Sequence, residues 1–233
     1  MNHSLTFSDL TASLIGESML MELLSRILYK EPERDWLDQL ITEQVFSEVP
    51  FGSEQPEVVR GLEILRAWSK SNAGGLSDQN FSDLKLDYTR LFIGLDMLPT
   101  APWESVYFNR ERMIFQEQTM QVREWYARFG LQVENFNKEP DDHIGLEILF
   151  VAHLASLALQ SIDKGDQPAL DEVLQAQREF IKEHLLRWGP AWTQLLLQHA
   201  QTDFYRGIAH LTRGALIAVT ELLEVSQPKE ASL

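Results

Sequence analysis

Residues 139–147 read EPDDHIGLE, which puts Glu139, Asp141, Asp142 and His143 side by side and Glu147 one helical turn further on. Carboxylates and an imidazole at this spacing suit general acid–base work, metal ligation, recognition of a cationic ligand, or simply the start of a helix. Acidic side chains in a first helical turn are stabilised by the positive end of the macrodipole, typically by about 0.3–1 kcal/mol each. Asp141 and Asp142 fit that role, with Pro140 at the first helical position. His143 does not, because a cation is disfavoured there. A neutral imidazole held by Asp142 or Glu147 would instead offer a ligand one donor and one acceptor.

The rest of the chain narrows these options. Of the histidines (His3, His143, His153, His184, His199, His210), none belongs to a His-Glu-x-x-His pair and none follows a glutamate by three positions. Di-iron bundles need that Glu-x-x-His spacing. His143 and Glu147 share a helix face without completing a metal site. There is no Gly-x-Ser-x-Gly elbow, no phosphate-cradling Gly-x-x-x-x-Gly-Lys loop, and no cysteine to serve as nucleophile, thiolate ligand or disulfide partner. Neither a cofactor nor a metal is expected. Lys and Arg number 20 against 35 Asp and Glu, a formal charge of −15. Such a surface repels nucleic acid and attracts basic partners.

The elements that must position this cluster read as helical throughout. Leu10, Leu14, Met21, Leu24 and Leu28 lie on one face of a first helix, with Ser8 as N-cap and Pro32 beyond its end. Helices are expected over about 33–45, 56–71 and 79–93, the last closed by Gly94. A long helix is expected from Glu104 to Phe129, striped by Val122, Trp125 and Tyr126, with Gly130 just past its end. The next begins near Pro140 and is apolar nearly all round, as a helix buried among others should be. GDQP at 165–168 precedes a helix to about 186, and Pro190 starts another. Phe204, Ile208, Leu211, Ala215 and Leu222 stripe the last helix, and residues 226–233 read as a frayed tail. The expectation is one all-α globular domain over 1–233 (44% hydrophobic residues), with no secretory signal and no run apolar enough to span a bilayer.

Several segments in order carry a resemblance: YTRLFIG at 88–94, PWESVYFNRE at 102–111, NKEPDDHIGLEILFVAHLA at 137–155 and DFYRGIAHLTRGAL at 203–216. Together they resemble the TorD/DmsD/NarJ family of redox enzyme maturation chaperones, most of all its DmsD branch. The resemblance implies a helical cytoplasmic chaperone rather than an enzyme. Such a protein binds the twin-arginine (Tat) signal peptide of a molybdoenzyme precursor and holds it until cofactor insertion and folding are complete. It also implies Tat translocase components as further partners, and a monomer able to exchange helices in a dimer. The alternatives are an assembly chaperone of the nitrate-reductase type and, outside the family, a helical small-molecule- or metal-dependent enzyme. Carried across, Pro140, Asp142 and His143 match the family's Pro-x-Asp-His core, Pro102 and Trp103 its Pro-Trp pair, and Leu91 and Phe92 its Leu-Phe pair. Tyr29 matches an aromatic at the end of the first helix. The branch often has a tryptophan near the position of Asp96, and can have one at that of Tyr107. The residues add an expectation of their own: Asp142 and His143, at the exposed mouth of the helix with Glu147 behind them, take the arginines by charge-assisted contacts. The aromatics then take the apolar stretch.

Overall fold

The computed structural model describes residues 6–94, 98–133 and 139–226, and helices make up its regular structure. In chain order they are α1 (Phe7–Tyr29), α2 (Arg34–Thr42), α3 (Pro56–Ser71), α4 (Asp78–Tyr88), α5 (Glu117–Arg128), α6 (Ile144–Lys164), α7 (Gln167–Phe180), α8 (Leu186–His199) and α9 (Asp203–Val225). Among the described residues the only β-type pairing is a single antiparallel bridge between Trp103 and His143. The frayed tail and the Asp96 position fall outside the described residues, apart from Ser226.

Two long pairings organise the core. α1 packs along α6, and α3 along α9, while α7 and α8 bridge the pairs. One apolar cluster runs through all of them, from Leu14 and Leu24 through Ile148 and Leu154 to Trp192, Ile208 and Leu223. Gln177 ties α7 to the first pair, donating to Glu17 Oε1 at 2.5 Å and to the Val151 carbonyl at 3.1 Å. Burial pushes the Glu17 carboxyl up to about 8, so it enters this contact as a neutral acid.

Several boundaries differ from the sequence reading, each for a local reason. Thr6, not Ser8, caps α1, in a reciprocal box with Asp9. The second helix stops at Thr42, because Gln44 turns left-handed before a short 3-10 turn at Val45–Ser47. The fourth gives way at Thr89–Ile93 to a wider π-type turn. No helix runs from Glu104 to Phe129. A 3-10 turn (Glu104–Tyr107) is followed by an irregular loop in which Arg112 and Phe115 have φ of 53° and 59°. The Asn109 side chain organises that loop, donating to the Ser105 and Met113 carbonyls and accepting from Met113 N–H. Such local bonds compete with a helical ladder. Pro190 lies inside α8 rather than at its start, in a path that leaves α7 through a π-type turn at Ile181–Leu185.

By length and composition α6 is apolar enough to cross a membrane, contrary to the sequence expectation, but most of its apolar stretch is buried inside the fold. Its first turn meets the end of α1 very closely. A Cβ on Gly145 would lie 2.8 Å from Tyr29 Cβ and 3.1 Å from the Ser25 carbonyl oxygen. Gly145→Ala gains helix propensity of about 1 kcal/mol but overpacks this contact at a cost of about 1–3 kcal/mol. The variant is therefore expected to unfold at lower urea than the parent, and an unchanged midpoint would show that the two helices have room to spare.

Candidate functional site

The EPDDH segment is not the first turn of a helix. Asp141 and Asp142 form a turn and His143 is extended, bridged to Trp103: Ile144 N–H donates to the Pro102 carbonyl at 2.7 Å and Glu104 N–H to the Asp142 carbonyl at 2.9 Å. This turn and bridge precede the helix, so α6 starts only at Ile144, with His143 as its N-cap. His143 Nδ1 accepts from Gly145 N–H at 3.0 Å, which puts the ring proton on Nε2. Burial lowers the imidazole to about 3, so His143 is neutral. That resolves the conflict between a histidine and the positive end of a helix.

The exposed mouth expected for Asp142 and His143 is absent: Asp142 is 0% exposed and His143 4%. Asp142 Oδ2 accepts from Ser105 N–H at 2.7 Å and Oδ1 from the Thr119 hydroxyl at 2.7 Å. Both oxygens are thus spent inside the fold. Asp141 binds Arg123 through two nitrogens at 2.7 and 3.1 Å. Glu147 is buried as well, accepting from Trp188 Nε1 at 3.3 Å. Burial first, then Glu104 and Asp142, hold its carboxyl well above the usual range. Beside it Glu104 Oε2 lies 2.7 Å from His184 Nδ1.

Leu91 and Phe92 are core residues too, with Phe92 stacked on Trp192 at 6.2 Å and edge-on to Tyr88 and Tyr205. Pro102 and Pro140 are buried. Of the residues singled out from the sequence, Tyr29 and Trp103 remain half-exposed. They flank His143, with ring centroids 5.1 and 6.0 Å from it, both edge-on. Tyr29 also donates to Glu139 Oε2 at 2.7 Å.

Tyr29 forms one wall of a groove of about 710 Å³ between α1, α6 and the segment after α5. Leu131, Val133, Leu146, Leu149 and Phe150 supply its apolar surface. Glu22, Arg26, Lys30 and Glu33 line it from α1 and the turn beyond, and His153 and Ser156 from α6. The sequence reading missed all of these, although Leu149 left a trace: it stands 43% exposed on the most apolar helix of the chain. Another cavity, about 600 Å³ and lined mainly by charged and polar residues, opens around Trp125, Lys182 and Arg187. Among the described residues no three His, Asp or Glu side chains converge as a metal site would require.

Residues 61–194 match the family described as the nitrate reductase delta subunit, which is more than half of the chain. The chain belongs to this family, which includes the TorD, DmsD and NarJ proteins. It is 32% identical over 126 residues to the Tat proofreading chaperone DmsD of Salmonella typhi, covering 54% of this chain and 55% of that protein. It is 35% identical over 138 residues to the chaperone protein TorD of Vibrio cholerae, covering 58% and 61%. A TorD of Aliivibrio salmonicida is 26% identical over 188 residues, covering 80% and 85%. The chain thus spans little more than half the length of the first of these relatives.

His143→Ala removes the cap of α6 and the ring between Tyr29 and Trp103. It should cost about 1 kcal/mol for the cap plus the packing loss, whereas His143→Asn keeps an acceptor and retains more of the stability. The ring sits below its unfolded value of 6.5, so its contribution is complete above pH 6.5 and is lost as pH falls toward about 3. Nuclear magnetic resonance should accordingly show no His143 titration between pH 5 and 8, and a midpoint inside that window would contradict a buried neutral cap.

Proposed function

We propose that this chain is a cytoplasmic maturation chaperone, and that the groove between α1 and α6 receives the twin-arginine signal peptide of a molybdoenzyme precursor. The observation that carries the reading is the groove itself: a concave apolar surface edged by Glu22 and Glu33 beside Arg26 and Lys30, on a chain of formal charge −15. A signal of this kind joins two guanidiniums to an apolar stretch, and the groove offers acceptors and apolar area side by side. Tyr29 and Trp103 supply aromatic faces at one end, either of which can also take a guanidinium by cation–π contact. Pro102, Pro140, Asp142 and His143 act through shape, fixing the corner against which Tyr29 rests. Leu91, Phe92 and Glu147 support that corner from within. Holding the peptide keeps the precursor from export while its cofactor is inserted, with Tat translocase components as subsequent partners.

Calorimetric titration with a synthetic twin-arginine signal peptide tests this. Binding should weaken with added salt, and Leu149→Asp, at an exposed position, should reduce affinity about tenfold or more through lost apolar burial. If the parent chain binds no such peptide, or if Leu149→Asp binds it equally well, the groove is not the seat.

A further inference from the structure

The core holds titratable groups that the groove does not use, and Glu17 on α1 is one of them. Glu17 and Gln177 are both 0% exposed. The Gln177 nitrogen is identified by its partners: it donates to the Val151 carbonyl, which an oxygen could not do, and to Glu17 Oε1. Both of its N–H groups are then used. Two oxygens are left over, Glu17 Oε2 and Gln177 Oε1, each buried without a hydrogen-bond partner. Two acceptors cannot satisfy one another, and an unmet buried acceptor is costly. One proton on Glu17 Oε2 turns that oxygen into a donor and removes both deficits together.

The surroundings favour that proton. Burial raises the Glu17 carboxyl and the bond from Gln177 works against it; neither influence is a cation. The ionisable groups on the helices packed around Glu17 are turned elsewhere. On α7, Arg178 donates to the Leu223 carbonyl and Glu179 accepts from Gln175. On α6, His153 lines the groove, while Asp163 and Lys164 are exposed. On α9, His210 and Arg213 meet Glu57, Arg206 pairs with Asp203, and Glu221 and Glu224 are exposed. On α1 itself, Asp9 is taken by Thr6 and Glu22 is exposed.

We propose that Glu17 and Gln177 form a reciprocal acid–amide pair, and that its single proton is a pH-sensitive latch fastening α7 to α1. Gln177 Nε2 donates to Glu17 Oε1, and the acid O–H donates back to Gln177 Oε1. The second N–H of Gln177 holds Val151, so the latch joins α1, α6 and α7. When the proton leaves, Glu17 Oε2 becomes a buried anion facing a carbonyl oxygen, and the contact favours opening. The carboxyl is raised from 4.5 to about 8 in the fold. Its support of the fold is therefore complete below pH 4.5 and is lost as pH rises through about 8. The latch stands whether or not the groove takes a peptide.

The test is a pH series on the parent chain and on Glu17→Gln, which is isosteric and cannot titrate at this position. Circular dichroism verifies that the variant folds. The ratio of the parent's folding constant to the variant's, from urea unfolding, should fall by about tenfold per pH unit between about pH 6 and 8. In the parent, the side-chain amide resonances of Gln177 should shift with a midpoint near pH 8 as the proton leaves. A ratio that does not change with pH overturns the latch. Gln177 resonances that stay in place from neutral to alkaline pH overturn it too, and that reading needs no variant, so it decides even if Glu17→Gln fails to fold.

Discussion

Asp142 joins three pieces of chain that are distant in sequence, and the site depends on that junction. Its carboxylate holds the Ser105 amide, 37 residues away, and the Thr119 hydroxyl, 23 residues away, while its carbonyl takes the Glu104 amide. The 3-10 turn at Glu104–Tyr107, the start of α5 and the approach to α6 therefore share one buried anion. A carboxylate out of water is costly unless hydrogen bonds satisfy it, and these contacts do so on both oxygens. From that junction the chain can enter α6 only through His143, whose neutral ring caps the helix and spaces Tyr29 from Trp103. The end of α1 is then pressed onto Gly145, and the groove is the space left where the two helices and the chain after α5 do not close.

The same geometry explains why so greasy a helix has one face in the core and another left open to the groove. Ile148, Val151, Leu154 and Ala155 are fully buried, and they anchor α6 in the core. Leu146 and Leu149 lie on the remaining face, where only the groove covers them. An apolar side chain left partly in water is unexceptional alone. A row of them along a concavity is the kind of surface that marks an interaction site.

Much of this was legible in the sequence. The helical class, the limits Pro56–Ser71 of α3, the α1 stripe and the α9 stripe follow from periodicity and punctuation, both local signals. The motifs also led to the right family. The partners of the individual motif residues were not legible. Asp142 has partners 23 and 37 residues away, and no local pattern distinguishes a carboxylate that binds a ligand from one that binds the backbone. Pro140 suits a first helical turn, but the chain turns at Asp141 and Asp142 and pairs with Pro102 and Glu104 before the helix begins at Ile144.

The most direct test of this account is amide chemical-shift mapping of the folded chain as a twin-arginine peptide is added. Shifts should concentrate in 22–30 of α1 and 146–156 of α6, while the Ser105 amide, held by Asp142, keeps its position. Shifts centred on Trp125, Lys182 and Arg187, or a displaced Ser105 amide showing Asp142 released to the peptide, would contradict it.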